Sequence, residues 1–125
     1  MEVLGMDHLV LTVASIGRTV AFYRDVLGLR AETFGDGRWA LHFGDQKFNL
    51  HEAGHEFEPK AARPTPGSID ICLVVATPID SVVAALRAKD VPLVEGPVDR
   101  TGARGKIRSV YLRDPDDNLV ELANY

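Results

Sequence analysis

Four residues in this chain have side chains of the types that bind divalent metals: His8, His51, Asp70 and Glu121. Two histidines with one carboxylate suit Fe(II), Mn(II), Zn(II), Ni(II) or Co(II). Asp70 adds an oxygen donor, as a weaker fourth ligand or a hydrogen-bonding neighbour. All four lie on predicted strands, where alternation fixes the direction of each side chain and a rigid element holds it. The sequence therefore predicts a divalent-metal site.

Each residue also has a simpler interpretation. A single strand histidine is more often a core or rim residue, and Glu121 also fits the solvent face of an edge strand. Against this, an unpaired carboxylate buried beside Val120 and Leu122 would be several kcal/mol unfavourable. An internal sequence repeat supports the interpretation of the four residues together as one metal site.

The sequence of the first predicted strand is repeated later in the chain. Aligning His8 with Asp70 brings five later pairs into step: Leu11 with Leu73, Val13 with Val75, Ala14 with Ala76, Ser15 with Thr77, and Val20 with Val82. A second repeat aligns His51 with Glu121. Two similar copies predict two modules related by a pseudo-twofold axis, with matching positions that face a shared centre.

The elements that position these residues follow from hydrophobic spacing and turn signals. The first module is predicted as strand 6–13, helix 16–27 and strands Arg30–Phe34, Arg38–Phe43 and Lys47–Glu52. The second is predicted as strand 68–75, helix 78–89, strand Val91–Glu95, a loop from Gly96 to Lys106, and a hairpin of Arg108–Arg113 and Asn118–Ala123. Ser15 and Thr77 are the expected helix caps. The fold class is α+β: one domain over 1–125, built from two βαβββ modules at approximately 1–57 and 67–125.

Composition narrows the classes of function. A net charge of −4 argues against nucleic acid as a partner. The single cysteine, Cys72, cannot form an internal disulfide and fits a reducing compartment. No secretory signal and no apolar run of membrane-spanning length is visible. We expect a cytoplasmic protein without membrane contact.

Three motifs together resemble the vicinal-oxygen-chelate superfamily, which includes glyoxalase I, extradiol dioxygenases, fosfomycin-resistance enzymes and bleomycin-resistance proteins. The motifs are Met6–Leu9, Ala21–Leu29 and Tyr111–Glu121. Asn49–Gly54 and the Arg100-Thr101-Gly102 segment most resemble short glyoxalase-domain proteins. The resemblance implies the glyoxalase/bleomycin resistance/dioxygenase fold. It also implies a homodimer in which strands of both subunits complete each site.

The chain departs from this family pattern at three positions. Most metal-dependent members place histidine where this chain has Asp70, and bacterial glyoxalase I has glutamate where this chain has His51. Asp117 replaces the usual turn glycine, which predicts slight strain in that turn.

Family chemistry implies a metal-dependent lyase, isomerase or dioxygenase that binds vicinal oxygens of a small substrate. Glu121 would be the catalytic carboxylate that moves a proton. Tyr111, Arg100 and Arg108 are candidate substrate-binding residues for an anionic substrate; the alternatives are a barrel plug for Tyr111 and a solvated loop for the arginines. The rival function is a metal-free protein that binds a drug or metabolite, as bleomycin-resistance proteins do.

Overall fold

The computed structural model describes residues 1–125 and divides the chain into two compact units, Met1–Gly67 (the first module) and Ser68–Tyr125 (the second module). The first module contains β1 (His8–Val13), α1 (Ile16–Asp25), β2 (Arg30–Phe34), β3 (Arg38–Phe43) and β4 (Gln46–Glu52). The second contains β5 (Asp70–Val74), α2 (Ile79–Ala88), β6 (Glu95–Gly102), β7 (Gly105–Arg113) and β8 (Leu119–Asn124). The predicted α+β fold of two βαβββ modules is confirmed.

Each module places its first strand beside its last. The sheet orders are β1-β4-β3-β2 and β5-β8-β7-β6, and the β1–β4 and β5–β8 pairs are parallel. Parallel neighbours need a crossover, and the helix that supplies it covers one face of the sheet. In the first module this face contains Tyr23 and Phe48, both buried, with ring centroids 5.9 Å apart. We name the other face of each sheet, which its helix leaves uncovered, the open face.

The strand ladders show which positions of the two modules match. His8 pairs with Lys47 on β4, and Asp70 pairs with Leu119 on β8. Two residues further along, Asn49 therefore matches Glu121. The predicted alignment of His51 with Glu121 is therefore wrong by two residues. It rested on the similarity of two short apolar segments, which does not reveal how each strand pairs with its neighbour.

Helix capping supports the corrected register independently. The Glu52 carboxylate accepts a hydrogen bond from the backbone N–H of Ile16 at 3.2 Å, and the Asn124 amide oxygen accepts one from Ile79 at 2.8 Å. Each helix is thus capped by a side chain from the last strand of its own module. Ser15 also caps α1, as predicted, with Oγ 3.3 Å from the Arg18 nitrogen. The expected cap of α2 by Thr77 is wrong: Pro78 stands at the N-cap without a side-chain bond.

The predicted loop from Gly96 to Lys106 is a β-hairpin instead. Strand β6 pairs with β7 from Glu95 to Gly102, with a register shift between Glu95 and Val98. Gly96 has φ +106°, and a Cβ there would lie 2.5 Å from the Ser109 carbonyl oxygen. The glycine and proline that indicated a loop therefore build a β-bulge, which glycine permits where backbones approach closely.

Two smaller features concern the ends of elements. Asp117, which replaces the usual turn glycine, has φ +64°. It is therefore a non-glycine residue in the left-handed region of backbone conformations. Neither helix has the length and apolarity of a membrane span.

Candidate functional site

The open face of the second module carries one continuous row of paired residues. Cys72 pairs with Glu121, Glu121 with Tyr111, and Tyr111 with Glu95. Paired strand residues share a face, and the opposite face holds Val110, Leu112 and Val120, all buried. The row therefore brings a thiol, two carboxylates and a phenol to the uncovered side of one sheet.

Glu121 lies between Cys72 and Tyr111. Its Oε1 atom is buried and has no hydrogen-bond partner. Burial raises the pKa of the Cys72 thiol to about 11, and the Glu121 carboxylate adds to that shift. Burial likewise raises the pKa of the Tyr111 phenol, opposed by Arg100 and reinforced by Glu121. The thiol and phenol are accordingly protonated at neutral pH, so both are hydrogen-bond donors beside the Glu121 carboxylate.

Arg100 is held by two neighbours on this face. Its guanidinium donates to the Tyr111 hydroxyl at 3.1 Å and to the Glu95 carboxylate at 3.0 Å. Glu95 and Arg100 are five positions apart, so they would point to opposite faces of a regular strand. The bulge at Gly96 shifts the alternation by one residue and places both on the open face.

A cleft of about 410 Å³ lies over this row. Its walls are formed by Cys72, Val74, Arg100, Thr101, Gly102, Ala103, Ile107, Tyr111, Glu121 and Tyr125. The Tyr125 hydroxyl accepts a hydrogen bond from the backbone N–H of Arg104 at 3.0 Å, which ties the tip of the β6–β7 hairpin to the cleft wall. Two of the predicted substrate-binding residues, Arg100 and Tyr111, therefore meet the predicted catalytic residue in one cleft.

Asp70 and Arg108 lie outside the cleft walls. Asp70 begins β5 on the same face as Cys72, one diagonal step in the ladder from Glu121, and is exposed. Arg108 points to the helix side, where its guanidinium lies 3.2 Å from the Asp80 carboxylate on α2. The structure therefore does not bring Arg108 to the other predicted substrate-binding residues, because strand alternation separates it from Tyr111.

His8 begins β1 on the open face of the first module. Its Nδ1 lies 2.7 Å from the Asp7 carboxylate, and its side chain is 45% exposed. Metal-binding histidines commonly donate one ring N–H to a carboxylate in this way, which orients the other nitrogen. His8 therefore fits a ligand role through Nε2.

His51 occupies a different place on the same face. It pairs with Thr12, four residues along β1 from His8, a separation of roughly 13 Å at the usual strand rise. The ring is 3% exposed, its Nε2 has no partner, and it packs against Phe57 with centroids 5.6 Å apart. Burial, followed by the nearby Arg38 charge, lowers the pKa of His51. The register thus separates the two predicted histidine ligands of this module.

Two open-face residues were not singled out from the sequence. Glu95 was placed at the end of a short strand, and its contact with Arg100 depends on the bulge. The sequence pattern favours His51 over Asn49, because the register that matches Asn49 with Glu121 is visible only in the strand ladder. No three His, Cys, Asp or Glu side chains of the chain are grouped to hold a metal ion.

Comparison with known proteins identifies the family. Residues 5–122 match the Glyoxalase/Bleomycin resistance protein/Dioxygenase superfamily. The chain is 56% identical to virulence protein STM3117 of Salmonella typhimurium over 120 residues, covering 96% of this chain and 83% of that protein. It is 50% identical over 125 residues to glyoxalase domain-containing protein RDO1 of Mycosarcoma maydis, covering 100% of this chain and 70% of that protein.

Solved structures agree with the sequence comparison. The crystal structure of STM3117 matches with a TM-score of 0.98 and 54% identity, over 100% of this chain and 99% of that chain. Lactoylglutathione lyase from Agrobacterium tumefaciens shares the fold, with a TM-score of 0.72 and 24% identity over 96% of this chain and 92% of that chain. The chain therefore belongs to the Glyoxalase/Bleomycin resistance protein/Dioxygenase superfamily. Members often use divalent metals and are often dimers that bind small molecules.

Proposed function

We propose that this protein is a divalent-metal-dependent enzyme that acts on a small substrate with vicinal oxygens, by lyase, isomerase or dioxygenase chemistry. The observation that carries the proposal is the Glu121 carboxylate, whose buried Oε1 lacks a partner beside a cleft. A buried carboxylate oxygen left without a partner is unfavourable, and a bound cation would compensate it.

His8, Asp70 and Glu121 would hold the metal, since each offers a nitrogen or oxygen on an open face. Fe, Mn, Ni, Zn or Co are compatible with such a set. His51, predicted as a ligand from the sequence, is left out because the register separates it from His8. As the family resemblance implies, we expect a homodimer in which strands of two copies complete each site.

When bound, the metal would polarise the two substrate oxygens as a Lewis acid. The protein residues would then act around it. Glu121 would accept a proton from the carbon beside a carbonyl, as a positioned general base. The Tyr111 hydroxyl would donate a hydrogen bond to the resulting oxyanion, since its raised pKa keeps it protonated. Arg100 would orient Tyr111 and add positive charge at the cleft.

The alternative is a metal-free binding protein of the bleomycin-resistance type. One observation favours it: no three ligand side chains are grouped in the chain. Val74 and Ile107 also give the cleft apolar walls suited to a hydrophobic ligand.

Metal content and thermal stability decide between these functions. Protein purified without chelator should hold about one divalent ion per subunit, and chelation should lower its melting temperature by several degrees, because a metal bound only to the folded state stabilises it. Glu121→Gln and His8→Ala should lose both the metal and the chelation shift. His51→Gln and the exposed-loop control His55→Ala should keep both.

Full metal occupancy in Glu121→Gln and His8→Ala would contradict the proposed ligands. Absence of metal from wild-type protein, with ligand binding in the cleft retained, would support the binding protein instead. Loss of metal only in His51→Gln would restore the ligand predicted from the sequence. Sedimentation should show a dimer at micromolar concentration; a metal-loaded monomer would contradict the shared site.

A further inference from the structure

Two cations on the open face of the first module share one aromatic ring. The Arg38 guanidinium carbon lies 5.4 Å from the Phe34 ring centroid, and the Lys47 ammonium lies 4.2 Å from the same centroid. Arg38 also lies over Phe57, at 4.6 Å. A cation over an aromatic ring face is attracted electrostatically by the ring. Arg38 and Lys47 therefore both contact Phe34 on the open face of the first module.

Neither cation has a carboxylate partner, although the chain carries a net negative charge. Five other cations do pair with carboxylates: Arg24, Arg30, Lys60, Arg100 and Arg108. The two carboxylates whose pKa Lys47 helps to lower, Asp7 and Glu32, are bonded elsewhere, Asp7 to His8 and Glu32 to Arg30. Arg38 and Lys47 therefore have no carboxylate within ion-pair distance, which leaves both cations free to bind an added anion.

Buried polar atoms without partners lie on the same face. Asn49 and His51 follow Lys47 at alternate positions of β4, so all three side chains share the open face. Asn49 is 8% exposed and His51 is 3% exposed, and Asn49 Oδ1 and His51 Nε2 lack hydrogen-bond partners. A buried polar atom left unpaired is costly, and a bound polar group would relieve that cost. Because amide and imidazole groups can rotate by half a turn, either residue can offer an N–H donor.

The charged side chains that act on His51 include two carboxylates of the following loop, and both of these have local partners. Glu56 and Glu58 act on His51 from the following loop, as does Lys60. Glu58 is bonded to Lys60, and Glu56 accepts a hydrogen bond from the Gly54 backbone at 3.1 Å. The carboxylates of the loop are therefore engaged locally, and the unpaired charges on the sheet itself are positive.

We propose that the open face of the first module is an oxyanion-binding site, where Arg38 and Lys47 bind the carboxylate or phosphate group of an acidic substrate, with Asn49 and His51 as hydrogen-bonding neighbours. This deepens the proposed function, on which its link to a substrate rests. Lys47 pairs in the ladder with His8, so the acidic group would lie beside the proposed metal ligand. The substrate class is then a small acid that carries vicinal oxygens in addition to its acidic group.

Binding of simple anions to the metal-free protein tests this site. Malonate and inorganic phosphate would be titrated into EDTA-treated protein while backbone amide shifts are followed by NMR, with neutral malonamide as the matched control. We expect malonate and phosphate to shift amides of β3 and β4 saturably, and malonamide to leave them unchanged. Arg38→Gln and Lys47→Gln should each weaken malonate binding by about tenfold. Arg18→Gln removes the same charge from α1 and should have no effect.

Three results separate the possible failures. Unchanged malonate affinity in both Arg38→Gln and Lys47→Gln, or equal binding of malonamide, would overturn the oxyanion site. Equal losses in Arg18→Gln would show general charge attraction rather than a site, and would overturn it too. Because the titration is done without metal and can be repeated in Glu121→Gln, retained anion binding there supports this site even where the metal proposal fails.

Discussion

The two modules have separate strand ladders of the same pattern, and they differ in the residues that stand at matching positions. Matching rows across the open faces contain Val10, Asn49, Ala40 and Glu32 in the first module, and Cys72, Glu121, Tyr111 and Glu95 in the second. The second row is a connected set of donors and acceptors under a cleft. The matching first row is mostly apolar or amide, and its chemistry comes from cations at neighbouring positions. Strand pairing fixes which positions of the two modules match. The residue types at those positions determine which chemical groups each open face carries.

The hairpins at the far edge of each sheet differ as well. In the first module β2 and β3 pair in unbroken register and turn through Gly35, Asp36 and Gly37. In the second module the β6–β7 pair contains the Gly96 bulge that brings Glu95 and Arg100 to one face. The following experiments test whether these differences matter as described.

The largest effect is expected from Gly96→Ala compared with Gly37→Ala. A Cβ at Gly96 would lie 2.5 Å from a backbone oxygen, whereas the space around Gly37 is open. Both positions have positive φ, +106° and +80°. We expect Gly96→Ala to reduce the free energy of unfolding by about 3 kcal/mol or more, and Gly37→Ala by about 1 kcal/mol. Urea unfolding monitored by circular dichroism measures both, and equal losses would contradict the close approach at the bulge.

A smaller difference is expected between the two helix caps. Asn124 accepts from Ile79 and donates to the carbonyl oxygens of Val75 and Thr77, at 2.6 and 3.0 Å. Glu52 makes one such bond, and Ser15 also caps its helix. We expect Asn124→Ala to cost about 2 kcal/mol and Glu52→Ala about 0.5–1 kcal/mol. The midpoints of urea unfolding, compared at an unchanged m-value, would measure both losses. A larger loss from Glu52→Ala would contradict this order and show that α1 depends on its cap from β4 more than α2 depends on its cap from β8.

The smallest effect concerns the Cys72 thiol beside Glu121. Its pKa is raised from 9.0 to about 11, so alkylation at pH 8 should be roughly a hundredfold slower than for an ordinary thiol, because only the thiolate reacts. Glu121→Gln removes a negative charge, lowers that pKa and should accelerate iodoacetamide labelling several-fold. Glu95→Gln, at the far end of the row, should not. Equal acceleration by both variants would mean that Cys72 responds to general charge rather than to its neighbour.

Much of the fold could be predicted from residue patterns. Strands Arg30–Phe34 and Arg38–Phe43 were placed to the residue, because a glycine-rich turn separates two β-rich runs. The Gly96–Lys106 segment could not be predicted, because glycine and proline indicate a loop and a bulge equally well. Only the close approach of another strand, which the sequence does not display, distinguishes them.

The site was predictable where it depends on alternation within a strand and not where it depends on pairing between strands. Residue type, the internal repeat and the family resemblance single out Glu121, Tyr111 and Arg100 as candidates, and the structure brings all three to one cleft. Arg108 is grouped with them in the sequence because it follows the predicted Gly96–Lys106 loop, although it lies an odd number of positions from Tyr111 on the same predicted strand. His51 was chosen over Asn49 because a one-strand pattern cannot reveal the register of a parallel partner that lies far along the chain.

The pairing of first and last strands has a consequence for the order of folding during synthesis. The first module can close its sheet and cap α1 once residue 52 has left the ribosome. The second module must wait for Asn124, since β8 is both a central strand and the source of the α2 cap. At about 5–20 residues per second, the delay between these events is on the order of ten seconds. During that interval β5 lacks its partner strand β8, so the nascent second half carries an unpaired strand edge until the last residues emerge.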